Sequence, residues 1–269
     1  MYDKYKIYAL IDDIYKEAGT TKPYVLIAQP RRSEDEIPAQ DFNKNIHLNL
    51  DGHSKSFINI FGQKVDVARN YLIESAISIG AKYLFFIGED TVVPYDAFSK
   101  LHETSLQHPD AVVCGVYYYK LGGPMIVVRE DDYLKVPNCD RGQVIDAWLT
   151  GMDCMLIPVS ILKDMKEKEP DVPFCCVYNE PEKDLFVGED NFFTYRLRQH
   201  KYKLLVNTDV QCLHIDLATG RYTAHPSVQL SDYRTNIPIT GLLDENDRDY
   251  LEKRWIDRLP KGEINLETK

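Results

Sequence analysis

The feature that most constrains this chain is a regular alternation. Short apolar runs, YVLIAQP at 24–30, YLFFI at 83–87 and DAVVCGVYYY at 110–119, have the length and composition of buried strands. Between the first two, Val65, Ala68, Leu72, Ile73, Ala76 and Ile77 recur at helical spacing, and Gly80 stands where such a helix would stop. Between the last two, Ala97, Phe98 and Leu101 share one helical face after Pro94, which suits a first helical position. Strand, helix, strand, helix, strand is the order of an α/β domain whose central sheet is mostly parallel and crossed right-handedly. Ligands of such sheets lie at the carboxyl ends of the strands.

The pattern continues with MIVVR (125–129) and CMLI (154–157) as strands, a helix opening in SILKDMKE, a helix over 190–200, and strands at KLLVN (203–207) and VQCLHI (210–215). Tyr5, Tyr8, Ile11, Ile14 and Tyr15 predict a helix over 3–18. Residues 31–60 are polar and irregular and read as a flap. The expected organisation is one domain over 1–225 and a helical extension over 226–269. In that extension YLEKRWIDRL carries both signs of charge, which favours packing back on the domain.

Charge and cysteine usage narrow the function. With 42 acids against 32 bases the formal net charge is −10, which excludes binding of nucleic acid by broad phosphate attraction. An anionic ligand remains compatible if a metal ion stands between it and the acids. No run approaches the roughly 20 apolar residues of a transmembrane segment, so the expectation is a soluble, cytoplasmic protein. The six cysteines show no CxxC spacing, and Cys114, Cys154 and Cys212 lie in apolar runs, as reduced core residues do.

Two Gly-Glu-Asp tripeptides follow apolar runs, at Gly88-Glu89-Asp90 and Gly188-Glu189-Asp190. Two readings of the first are open: the acids charge the start of the next helix, or they hold a hard divalent cation together with phosphate oxygens. Asp190 is either a helix N-terminal acid or a general base. His214, on an apolar strand, is either a core histidine or a neutral imidazole ligand in a mixed nitrogen and oxygen set that suits Mn²⁺ as well as Mg²⁺. Arg69 is either a surface ion-pair residue or a contact to a phosphate or a base.

The ordered set VDVARNYLIESAISIGAKYLFFIGEDTVVPYDAFSKL, VVCGVYYY, TGMDCMLIPVSIL and GEDNFFTYRLRQHKYKLLVNTDVQCLHI resembles the GT-A glycosyltransferases of the family 2-like group, including viral and prokaryotic members, over about residues 24–216. The resemblance implies a Rossmann-like three-layer domain, with a nucleotide-sugar-binding half over about 20–125 and an acceptor half over 125–225. It implies that Asp90 is the last acid of the metal and nucleotide-sugar motif, that His214 completes the metal site with Glu89 as a further ligand, and that Asp190 is the base. Gln29 and Pro30 match the end of the first strand, where the family holds the nucleotide base. Gly151, Met152 and Asp153 match the loop beside the donor sugar and acceptor. The implied partners are a UDP- or GDP-sugar and a glycan, protein or lipid acceptor, with Mn²⁺ or Mg²⁺ as cofactor. One position departs from the pattern: Gly88 stands where the family has its first acid. A nucleotidyltransferase is the rival enzyme, although RRSEDEIP after Pro30 lacks the usual glycine-rich loop. A non-catalytic nucleotide- or sugar-binding protein on the same scaffold is the other rival.

Overall fold

The computed structural model describes residues 22–32, 48–119, 123–130, 133–180, 185–216, 221–225 and 228. The helix expected over 3–18, the tail helix and residues 33–47 of the flap lie outside them. The centre is a seven-stranded sheet. Its strands in chain order are β1 (Val25–Arg31), β2 (Lys55–Phe61), β3 (Tyr83–Ile87), β4 (Ala111–Val116), β5 (Val144–Asp146), β6 (Cys154–Pro158) and β7 (Lys203–Gln211). In space they run β2-β1-β3-β6-β4-β7-β5. Neighbours β2, β1 and β3 are parallel, as are β4 and β7, while β6 lies antiparallel between β3 and β4 and β5 is antiparallel to β7. The α/β class and mostly parallel sheet expected from the alternation are therefore observed.

Four helices pack on this sheet among the described residues: α1 (Val65–Ile79), α2 (Ala97–Gln107), α3 (Val159–Lys168) and α4 (Glu189–Gln199). Because successive strand side chains point to opposite faces, the sheet supplies two cores. Leu26, Leu84, Val112, Met155 and Leu204 meet Leu72, Ile73, Leu162, Phe193 and Leu197 of α1, α3 and α4. Val25, Phe85, Val113, Leu156 and Leu205 meet Phe98 and Leu101 of α2. The result is three layers, and truncating Leu72 or Phe98 to alanine would cost about 2–5 kcal/mol. The six cysteines carry free thiols, and five of them are buried.

Local signals set the helix ends. Gly80 takes φ 72° and closes α1, its N–H bonding to the carbonyls of Ala76 and Ile77. Lys201, just after α4, takes φ 64° in a place that suits glycine. Three expectations need correction. The stretch read as irregular over 31–60 ends in all but the last residue of β2, an edge strand whose mixed polar surface hides it from a search for continuous apolar runs. The two strands expected at 203–207 and 210–215 are one strand to Gln211, with a register shift after Val206, and then a separate strand Leu213–Asp216. Helix α2 begins at Ala97 rather than at Pro94.

Candidate active site

The first acidic turn leaves the carboxyl end of β3, next to β1. Gln29 supports it from beneath: its fully buried side chain donates from Nε2 to the Gly88 carbonyl at 3.1 Å. Antiparallel β6 brings its amino end to this same edge. With Cys154 opposite Ile87, the preceding Asp153 falls opposite Gly88, and the Gly88 N–H donates to the Asp153 carbonyl at 3.0 Å. A Cβ on Gly88 would lie 2.7 Å from Asp153 Cγ. The carboxylate of Asp153 therefore occupies the space that a side chain at position 88 would need.

His214 arrives by a second pairing. Residues Leu213 and His214 run antiparallel to Val92 and Thr91, and the Ile215 N–H donates to the Asp90 carbonyl at 2.7 Å. This sets His214 Nε2 3.4 Å from Asp90 Oδ1. At 2.6 Å from the Tyr118 carbonyl, which only accepts, Nδ1 carries the proton; in the neutral ring Nε2 keeps its lone pair. Burial works against the charged ring, but the Asp90 carboxylate, joined by Asp153 and the Tyr118 carbonyl, outweighs it and the pKa of His214 is raised. Ligand atoms of Asp90, Asp153 and His214 lie within 4.8 Å of one another. One ion at about 2.1–2.4 Å from each can bridge them. Two carboxylate oxygens and an imidazole nitrogen suit Mn²⁺ or Mg²⁺.

The second acidic turn faces the same cavity, because α4 starts at this edge with Gly188 as its N-cap. Gly188 also makes room for a carboxylate: a Cβ there would lie 2.8 Å from Asp190 Oδ1. That oxygen accepts the Asn191 N–H at 2.7 Å. Burial, with Glu189 beside it, pushes the Asp190 carboxyl up to about 6 against the pull of Arg69. Asp153 is also raised by burial, with Arg69 again opposing. Arg69, in α1, donates from Nη2 to Asp153 Oδ1 at 2.9 Å and from Nη1 to Glu189 Oε1 at 2.8 Å. The cavity has a volume of about 710 Å³ and is lined by Arg69, Asp90, Asp153, Asp190 and His214, with Pro30 and Tyr117 on its walls.

The structure thus brings Asp90, His214, Asp153, Asp190 and Arg69 to one cavity, and places other expected residues differently. Glu89 is no member of the cation cluster. Its carboxylate turns to Arg32, accepting from the backbone N–H at 2.9 Å and pairing with Nε at 2.9 Å. Gln29 is fully buried and gives its Nε2 to the Gly88 carbonyl, while Pro30 beside it lines the cavity. Arg69 is neither on the surface nor unengaged, since its terminal nitrogens hold two carboxylates. Met152 is fully buried, and its Sδ accepts from the Cys175 thiol at 3.8 Å. Gly151 packs against Tyr117, whose hydroxyl lies 1.5 Å from where a Cβ would sit. Sequence reasoning assigned Asp153 to the sugar loop and overlooked that its carboxylate joins Asp90 and His214 in a cluster that could hold a cation; the signal lay in Gly88, whose missing side chain leaves space for another.

No protein-family model matches the chain, and no curated protein matches it. Among solved structures, it is similar to A197 from STIV, at 20% identity and a TM-score of 0.53, covering 82% of this chain and 98% of that one. The two share a fold. A weaker likeness is to GalNAc-T7 with UDP, GalNAc and Mn²⁺, at 9% identity and a TM-score of 0.44, covering 72% of this chain and 44% of that protein. No helix among the described residues is long and apolar enough to cross a membrane.

Proposed function

We propose that the chain is a metal-assisted glycosyltransferase of the GT-A type, moving a sugar from a UDP- or GDP-linked donor to a hydroxyl of a glycan, protein or lipid acceptor. The observation that supports this reading is the joint occurrence, in one cavity at the carboxyl edge of an α/β sheet, of the Asp90, Asp153 and His214 cluster and the perturbed carboxyl of Asp190. Asp90, Asp153 and His214 would hold Mn²⁺ or Mg²⁺, which when bound supplies positive charge against the departing nucleoside diphosphate. Pro30, at the end of β1, borders the space for the nucleoside half. In the transfer step the acceptor oxygen bonds to the anomeric carbon, the bond from that carbon to the diphosphate breaks, and the hydroxyl proton passes to Asp190. A carboxyl near 6 is ionised in most molecules at neutral pH, yet more basic than an ordinary aspartate.

The test is a panel of UDP-, GDP- and dTDP-sugars with Mn²⁺ or Mg²⁺, scored for nucleoside diphosphate release with and without acceptors. Release by the wild type that is lost in Asp90→Asn and Asp190→Asn supports the proposal. No release with any donor, or release unchanged in both variants, overturns it. Pyrophosphate release from a nucleoside triphosphate and a sugar phosphate would identify a nucleotidyltransferase instead, and donor binding without turnover a binding protein.

A further inference from the structure

We infer that Arg69 is a positioning residue, which aims the Asp153 carboxylate at the cation and ties the cation centre to the turn that carries Asp190. The inference rests on the metal reading proposed above. Its basis is the fork of the guanidinium: Nη2 holds Asp153 at 2.9 Å and Nη1 holds Glu189 at 2.8 Å, with the arginine side chain only 6% exposed. The third nitrogen, Nε, is buried with no hydrogen-bond partner. The orientation of the guanidinium is therefore set by the two carboxylates, and theirs by it. Asp153 needs such a hold, because it lies over Gly88, which offers no side chain to wall it in. Glu189 opens α4 directly before Asp190, so the Asp153–Arg69–Glu189 chain links β6, α1 and α4 at one edge of the sheet.

Arg69 acts on a bound cation in two opposed ways, which makes the proposal decidable. Its permanent positive charge repels the ion. Its hold on Asp153 keeps a ligand in place, and groups that orient metal ligands typically change affinity about 10- to 100-fold. Positioning is the larger effect in a centre where three side chains converge among the described residues, so that each carries a large share of the hold on the ion.

Mn²⁺ affinity of the full chain, measured by electron paramagnetic resonance without any sugar donor, tests this. Arg69→Met is expected to bind Mn²⁺ about tenfold more weakly although a positive charge has been removed. Arg69→Lys is expected to weaken binding too, because one ammonium cannot span both carboxylates while keeping the charge. Glu189→Gln should weaken binding several-fold in the wild-type background and have no effect in the Arg69→Met background, since the relay is already cut. Affinity that is unchanged or tighter in Arg69→Met and Arg69→Lys overturns the inference, as does a Glu189→Gln effect that persists without Arg69. If circular dichroism shows Arg69→Met to be unfolded, Arg69→Lys and Glu189→Gln decide: weaker binding in both supports the role, and unchanged binding in either overturns it. A wild type that binds no Mn²⁺ overturns the metal reading together with this inference, whereas wild-type binding untouched by the variants overturns this inference alone.

Discussion

Replacing Gly88 with alanine adds one carbon against Asp153, a member of the Asp90, Asp153 and His214 cluster. The new Cβ would sit 2.7 Å from Asp153 Cγ, 2.8 Å from its Cβ and 3.0 Å from Oδ1. That is about 0.7 Å short of ordinary van der Waals contact at the tightest point. The backbone at Gly88 is not among the positive-φ glycines, so alanine meets no conformational penalty and the effect is steric. Relief by moving Asp153 through that distance would stretch its 2.9 Å bond to Arg69 by as much as about 0.7 Å, to a length at which it is no longer a hydrogen bond. The expected cost is about 1–3 kcal/mol of stability and a Mn²⁺ affinity lower by about tenfold or more. Thermal unfolding and Mn²⁺ titration read the two effects separately. The paired exchange Gly88→Asp with Asp153→Gly removes the clash and returns a carboxylate to the strand end, so it should bind Mn²⁺ better than Asp153→Gly alone. Wild-type affinity and melting in Gly88→Ala would refute the idea that Asp153 occupies the space of the missing side chain.

Other outcomes follow from the same geometry. Activity should fall as pH drops through about 6, because the acceptor of the proton must be ionised and the Asp190 carboxyl lies that high; a pH profile of kcat/KM with its acid limb near 4 would contradict this. Asp190→Asn should lower transfer by about 10²–10⁴-fold while Mn²⁺ binding persists. Since the folded carboxyl titrates above its ordinary value, the folded state favours the protonated form, and stability is lost as pH rises through that range. Asp190→Asn should accordingly raise the melting temperature at pH 7 more than at pH 4. Gly151→Ala should destabilise by about 1–3 kcal/mol or more, because the Tyr117 hydroxyl must leave its place 1.5 Å from the new carbon; melting curves read this directly. Glu89→Gln should leave Mn²⁺ affinity within about threefold of wild type, since Glu89 serves Arg32, while Asp153→Asn lowers it by about tenfold or more.

The legible part of the site was the part carried by contiguous residues. Asp90 and Asp190 each follow an apolar run on a turn to a helix, so their position at the carboxyl edge follows from strand and helix order. That Asp153, read from the sequence as a residue of the sugar loop, lies nearer to Asp90 and His214 than Glu89 does was not legible in that way. Neighbouring acids on one turn look equivalent in a sequence, and only the structure shows Glu89 accepting from the Arg32 backbone while Asp90 Oδ1 faces His214. Arg69 carried no local sign of its two partners, which come from the loop before β6 and from the first turn of α4.

By itself the sequence determined the α/β class, the buried strands, the helix stops such as Gly80, and the two acidic turns, because periodicity and turn chemistry act between residues near in the chain. The tertiary structure decided how those turns are completed. Strand direction and register arise from pairing between distant segments, and only the antiparallel insertion of β6 with Cys154 opposite Ile87 sets Asp153 over Gly88. Likewise, only the pairing of His214 with Thr91 brings the imidazole to Asp90. Hydrophobic patterning reports which face of a strand is buried and leaves open which neighbour lies beside its end.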